Sequence, residues 1–219
     1  MKDSIRKMLF PGNFHLNFQV KSVLCTHFYR DAFDWIMLYK LSRQCEIESL
    51  SIKTKQFIHL RMALECMLKA LLICLSKRSE KPEDAYSAAK KCSHNIEKLV
   101  NGCNARASGR YRICTKAMME RFRKVDSLGI GIRYDLEMKT AYKMQTPVEI
   151  FTESGPISDV LTNYKFHNEI WDDILFIRAT FDRASEKRLG KHKSHVMARL
   201  SEIENYIRKI TLRKTVGGV

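Results

Sequence analysis

The stretch that decides the fold runs from Thr54 to Val100 and reads TKQFIHLRMALECMLKALLICLSKRSEKPEDAYSAAKKCSHNIEKLV. Its first half is apolar at every third or fourth position, the spacing that places side chains on one face of a helix. These apolar positions are Phe57, Leu60, Leu64, Met67, Leu68, Leu71, Leu72 and Leu75. A face this wide predicts a helix at the centre of a helical bundle.

Two further helices are predicted within the same stretch. The charged run before Pro82 ends the first helix, and Pro82 suits the first turn of a short second helix because proline has no backbone N–H to satisfy there. Ser93 or Asn95 can cap the next helix by accepting a hydrogen bond from an N–H of its first turn. Glu65 and Lys69 stand four residues apart, so we expect an ion pair on a solvated helix face.

The letters of this stretch resemble the centre of a HEPN domain, a helical family of prokaryotic nucleotide- and RNA-associated proteins. The family has an Ala-x-Glu-x-x-x-Lys-Ala-Leu-Leu helix and then a His-Asp-Leu-Glu-x-Leu helix, and Ala63–Leu72 and His94–Leu99 resemble these two segments. Asn95 stands where the family has Asp. Farther on, Ile132–Asp135 resembles the Arg-Tyr-Pro or Arg-Tyr-Asp that often follows the fourth helix of the family. The resemblance implies an all-α, up-and-down bundle of four to five helices.

Composition agrees with a helical protein that attracts polyanions. The 219 residues suffice for one domain with an extension or two small domains. Glycine and proline are scarce, and alternating runs rich in Val, Ile and Thr are lacking, which argues against a sheet. Lysine and arginine number 39 against 24 acidic residues, a formal charge of +15. Such a field favours nucleic acid as partner, although charge alone leaves open a basic protein without a specific partner.

The cysteines and the lengths of the apolar runs indicate in which cellular compartment the protein is expected. The seven cysteines are scattered without a Cys-x-x-Cys, which predicts buried, reduced thiols in a cytoplasmic protein. Cys92, His94 and Cys103 lack a fourth ligand at a suitable spacing, so we expect no metal and no cofactor. No signal-peptide pattern is present, and Lys69 and Arg178 interrupt the longest apolar runs, so no membrane partner is expected.

The chain is predicted to have three parts. Residues 1–23 carry a Pro-Gly turn and alternating apolar residues, which fit a short strand or an N-terminal arm, and the arm is favoured because no second strand is available to pair. Residues 24–182 form the bundle, with further helices expected at 24–42, 110–128 and 159–182. Asn101–Gly102 is expected to end the helix that begins at His94. Residues 183–219 form a basic C-terminal helical extension that packs on the bundle or on a second subunit.

Candidate catalytic residues follow from the resemblance. Ribonucleolytic HEPN proteins carry an Arg, four to six further residues and a His, usually with a polar residue after the Arg, and are thought to act without metal in a cleft between two subunits. Arg188 and His195 are the one formal match, with Leu189 in place of the polar residue. Such a pair suits RNA cleavage, because histidine can move protons at neutral pH and arginine can bind phosphate. His94 is a second catalytic candidate, and its alternative role is to cap the helix and fasten the loop.

Other residues are candidates for binding or for packing. Nucleic-acid contacts are predicted for Arg133, Tyr134, Lys191, Lys193 and Arg199. Arg133 and Tyr134 have the alternative role of anchoring a turn. His167 falls beside an apolar stripe, so it is expected to be a hydrogen-bonded core histidine.

The sequence therefore leads to one expected function and two alternatives. We expect a HEPN-like, homodimeric RNA- or nucleotide-associated protein of a prokaryotic defence or toxin–antitoxin type system. The absence of a Walker loop, a Gly-x-Ser-x-Gly elbow and a His-Glu-x-x-His argues against ordinary hydrolases and nucleotide-dependent enzymes. If the protein is an enzyme, the resemblance implies metal-independent endoribonuclease cleavage. The alternatives are a non-catalytic adaptor that docks a partner such as a nucleotidyltransferase, and a DNA-binding regulator that uses the basic tail.

Overall fold

The structure, a computed structural model, describes residues 12–44, 50–128, 160–161 and 163–189. These residues form six helices, which are α1 (Gly12–Arg43), α2 (Leu50–Cys74), α3 (Pro82–Lys91), α4 (Ile96–Ala107), α5 (Lys116–Ser127) and α6 (Tyr164–Leu189). No strand occurs in these ranges, so the predicted all-helical class is confirmed for them. The predicted count of four to five helices for the bundle is not confirmed, since the described ranges contain six helices, including the short helix that was predicted at Pro82. No helix of the described ranges is long and apolar enough to span a bilayer.

Helix α2 is the central helix, as the opening stretch predicts. It packs against α1, α6, α4 and α3. The residues of α2 with no exposed surface include Ala63, Leu64, Met67, Leu68, Ala70 and Leu71. Burial of one leucine side chain contributes roughly 1.5–3 kcal/mol, so this helix supplies much of the driving force for folding.

Helix α1 begins earlier than the sequence indicated. Residues 12–23, which were assigned to an N-terminal arm, are helical and continuous with the first bundle helix, while residues 1–11 lie outside the described part. Lys21 helps to hold this portion, because its ammonium donates to the carbonyls of Lys77 (2.7 Å) and Glu80 (2.8 Å). The predicted domain boundary at residue 24 therefore falls inside a helix.

Helices α4 and α5 also differ from their predicted bounds. Helix α4 continues through Gly102, where a Cβ atom would stand 3.1 Å from Leu72 Cδ1, so the glycine allows close packing against α2 and does not end the helix. The left-handed residue after α4 is Ser108, with φ of 49°. Helix α5 begins at Lys116 and not at residue 110, because the Thr115 hydroxyl caps it by accepting from the N–H of Met118.

Helix α6 runs past the predicted end of the bundle. It was expected at 159–182 and extends to Leu189, so the proposed boundary at residue 183 lies within it. Two hydrogen bonds of 2.7 and 2.6 Å join the Arg121 guanidinium of α5 to the Asp173 carboxylate of α6. Tyr29 of α1 stacks on Phe181 of α6 with ring centroids 4.6 Å apart. Helix α6 is therefore fastened at several points along its length.

Candidate functional site

His94 lies in the turn between α3 and α4 and contacts Glu65 of α2. Its Nδ1 atom is 2.9 Å from one Glu65 carboxylate oxygen and 3.1 Å from the other. Because a carboxylate accepts hydrogen bonds, Nδ1 carries the proton and Nε2 of the neutral ring has a free lone pair. The His94 side chain is 39% exposed, and Nε2 has no hydrogen-bond partner within the described ranges. The imidazole is thus oriented on one side and accessible on the other.

Glu65 joins His94 to Lys69. The Glu65 side chain is only 2% exposed, and one of its oxygens lies 2.6 Å from Lys69 Nζ. The predicted Glu65–Lys69 ion pair is therefore present, but the predicted solvated face is wrong, because the turn that carries His94 covers the carboxylate. A buried carboxylate needs such partners to offset the loss of its hydration. We call this group the Lys69–Glu65–His94 cluster.

Arg61 and Asp126 stabilise the turn that carries His94 through hydrogen bonds to its backbone and to the start of α4. The Arg61 guanidinium donates to the carbonyl oxygens of Val125 (2.8 Å) and His94 (3.1 Å). The Asp126 carboxylate accepts from the backbone N–H groups of Ile96 and Glu97, both at 3.0 Å. Helix N-termini attract anions, and here a side chain of the protein itself satisfies that position.

The backbone of the turn is unusual at the residue before His94. Ser93 has φ of 51°, in the left-handed region that residues other than glycine seldom adopt and that costs about 1–2 kcal/mol. The side chain of Asn95 caps α4 by accepting from the N–H of Lys98 at 2.6 Å. Asn95 is therefore the helix cap. His94 does not cap the helix, but it does fasten the loop, because its carbonyl accepts from Arg61 and its ring contacts Glu65.

The second described histidine of interest, His167, belongs to the core. Its side chain is fully buried, and Nε2 lies 2.9 Å from the carbonyl oxygen of Val160, to which it donates. Burial disfavours the charged ring and lowers the pKa of His167 to about 4. The prediction of a hydrogen-bonded core histidine is confirmed.

Most other residues predicted for the site lie outside the described part. Arg188 is in the last turn of α6, and its side chain is not described. The remaining candidates lie beyond the described ranges, namely Arg133, Tyr134, Lys191, Lys193, His195 and Arg199. The pairing of Arg188 with His195 stays a prediction.

The sequence pattern did not predict that Arg61, Glu65 and Lys69 act together at the turn that carries His94, although their spacing places them on one helix face. They recur every fourth residue within the most apolar segment of the chain, so they share one helix face. Arg61 is 4% exposed and Glu65 is 1% exposed. A charged side chain that is buried in an apolar helix needs a polar or charged partner on a neighbouring element. This rule could have directed attention to the polar turn that contains His94.

The cysteines near His94 do not converge on a ligand position. The Cys103 thiol is buried and donates to the Leu68 carbonyl at 3.5 Å, whereas the Cys92 thiol donates to the Ala88 carbonyl at 3.4 Å. Burial raises the pKa of both thiols. Among the residues that the structure describes, no group of three or more His, Cys, Asp or Glu side chains could hold a metal ion.

The geometry at His94 suits proton transfer. A surface imidazole whose Nδ1 atom is held by a carboxylate has a fixed tautomer and a fixed orientation, as an acid–base catalyst requires. Comparison with known proteins adds no assignment, since no protein-family model matches the chain and neither a curated protein nor a solved structure is significantly similar to it.

Proposed function

We propose that this chain is a HEPN-like, RNA-associated protein of a prokaryotic defence or toxin–antitoxin type system and that it cleaves RNA without a metal ion. His94 is the proton-transfer residue in this proposal. The observation that carries it is the 2.9 Å contact between His94 Nδ1 and the buried Glu65 carboxylate, in a side chain that is 39% exposed and whose Nε2 has no hydrogen-bond partner among the described residues. The HEPN-like resemblance of the two segments around Glu65 and His94 supports RNA as the substrate class.

The reaction needs only proton transfer and charge stabilisation. In RNA the 2′-oxygen attacks the adjacent phosphorus, the bond from phosphorus to the 5′-oxygen breaks, and the products end in a 2′,3′-cyclic phosphate and a 5′-hydroxyl. Neutral His94 accepts the 2′-hydroxyl proton at Nε2, and the resulting imidazolium can give a proton to the leaving 5′-oxygen. Glu65 orients the ring by accepting from Nδ1–H, and Lys69 holds the Glu65 carboxylate in place.

The surroundings of the turn suit a phosphate. Lys98 is exposed in the first turn of α4, four residues after His94. Lys69 and Arg106 are already paired with Glu65 and Glu80. The Lys98 ammonium raises the local concentration of a polyanion and can stabilise charge that develops on a phosphate.

The test is cleavage of a mixed pool of cellular RNA by the purified protein in EDTA. The informative variant is His94→Asn, because the asparagine amide nitrogen can take the place of Nδ1 and donate to Glu65 but cannot transfer a proton. His27→Asn is the matched control, since His27 is an exposed histidine on α1. Fragments are expected from the wild type and from His27→Asn, and none from His94→Asn at an unchanged melting temperature.

Two variants test the pair predicted from the sequence. If Arg188→Ala and His195→Ala abolish cleavage while His94→Asn cleaves normally, the site lies at Arg188 and His195, and the assignment of His94 is wrong. If RNA stays intact with the wild-type protein, the cleavage proposal fails.

A further inference from the structure

A second surface combines aromatic rings and cations at the end of the bundle where α1 finishes and α2 and α6 begin. The Arg43 guanidinium carbon lies 3.9 Å from the centre of the Tyr164 ring. Lys40 Nζ lies 5.1 Å from the centre of the Trp171 ring. We call these four residues the Arg43 surface.

The cations of the Arg43 surface contact aromatic rings and no carboxylate of the described residues. Lys40 and Arg43 are exposed, and neither has a hydrogen bond or a carboxylate partner among the described residues. Other cations of the described part do have carboxylate partners, as Arg121 has Asp173 and Arg106 has Glu80. No described residue accepts a hydrogen bond from the five N–H donors of the Arg43 guanidinium.

Two helix N-termini add positive potential at the same end. Gln56 near the start of α2 donates to the Ser42 carbonyl at the end of α1, and Lys53 lies 5.9 Å from the Tyr164 ring at the start of α6. The first turns of α2 and α6 contain no acidic residue. The partial positive charge of each helix start is thus not offset by an acidic residue within its own first turn.

We propose that Lys40, Arg43, Tyr164 and Trp171 form a binding surface for single-stranded RNA. Arg43 stands at stacking distance from Tyr164, so its outer face can stack on an unpaired base while its edge donates to a phosphate. Lys40 neutralises a neighbouring phosphate, and Trp171, which stacks on Tyr39 with ring centroids 6.0 Å apart, borders the surface beside Lys40. The choice of RNA rests on the proposed function, and the single-stranded form follows because bases within a duplex cannot stack on side chains.

Fluorescence can report binding at this surface directly. The chain has two tryptophans, so Trp35→Phe leaves Trp171 as the only one. A short oligouridylate is expected to quench the Trp171 emission of this protein, and a duplex RNA of the same length is expected to quench it far less. Absence of quenching by an oligouridylate that binds the protein would overturn the proposed surface.

Affinity measurements with charge-matched variants complete the test. Arg43→Gln and Tyr164→Leu are expected to weaken binding of a labelled oligouridylate by about fivefold or more, the loss typical of one stacked base. Arg30→Gln removes an exposed charge from the same helix and is expected to weaken binding less than about twofold, since it loses only unspecific attraction. Melting temperatures of all variants are compared with that of the wild type.

The outcomes separate this inference from the proposed function. If Arg30→Gln and Arg43→Gln lose equal affinity, binding follows overall charge and the Arg43 surface is wrong, while RNA association stands. If RNA is cleaved with His94-dependence but Arg43→Gln binds normally, only the Arg43 surface is wrong. If the wild type neither binds oligouridylate nor cleaves RNA, both proposals fail.

Discussion

Replacing Glu65 with glutamine removes the charge at the centre of the Lys69–Glu65–His94 cluster. The carboxylate is 2% exposed and lies 2.6 Å from Lys69 Nζ and 2.9 Å from His94 Nδ1. Removing one partner of a fully buried ion pair costs about 3–5 kcal/mol. The Lys69 side chain is 13% exposed, so its ammonium can reach water and recover part of this loss. We therefore expect Glu65→Gln to lower the free energy of unfolding by about 2–3 kcal/mol.

Denaturant titration and calorimetry measure this loss. For a chain of this size, 1 kcal/mol corresponds to about 2–4 °C in melting temperature, so a decrease of about 5–10 °C is expected. Glu97→Gln is the matched control, because it breaks the Arg123–Glu97 ion pair, whose side chains are 61% and 35% exposed. The control is expected to cost less than about 1 kcal/mol.

A double-mutant cycle isolates the interaction itself. Lys69→Met removes the charge that Glu65→Gln leaves without its partner, so the double variant is expected to be more stable than the sum of the two single losses implies, by about 1–2 kcal/mol. Strict additivity, or a Glu65→Gln cost no larger than that of Glu97→Gln, would refute the reasoning that burial makes this cluster strong.

Three further predictions concern the core. The folded-state pKa of His167 is lowered to about 4 from the ordinary 6.5, so at this residue only the unfolded chain gains a proton between these pH values. The contribution of His167 to the free energy of unfolding is therefore constant above pH 6.5 and falls by about 3 kcal/mol as the pH drops to 4. His167→Gln should flatten this part of the curve of unfolding free energy against pH. Asp126→Asn should cost about 1–3 kcal/mol and speed hydrogen exchange at the Ile96 amide, which loses a charged acceptor. Burial raises the pKa of Cys66 to about 12, so this thiol should react with a disulfide reagent only after denaturation, as followed by mass spectrometry.

The sequence predicted those parts of the fold that depend on periodicity. The apolar spacing through α2 identified the central helix because burial on one face leaves a repeating pattern. Pro82 marked the start of α3 because it sits in the first turn, where its missing N–H costs nothing.

Features that depend on tertiary contacts were not predictable in this way. Apolar residues alternate in residues 14–20, which is typical of an extended segment, so the start of α1 was not predicted. The sequence pattern also contains no information about the acceptors of Lys21, which lie in the loop after α2. Gly102 looked like a helix stop because glycine is common there, but its role is set by the distance to Leu72 on a neighbouring helix. Glu65 was placed on a solvated face because the spacing rule for ion pairs contains no information about burial.

The most direct measurement of the central claim is the rate of RNA cleavage in EDTA by His94→Asn relative to the wild type, with the product ends identified by mass spectrometry. We predict wild-type fragments that end in 2′,3′-cyclic phosphate and a loss of at least about a hundredfold in His94→Asn, the range typical for removal of a general acid or base. Equal rates for the two proteins, with equal melting temperatures, would contradict a catalytic role for the histidine that Glu65 holds.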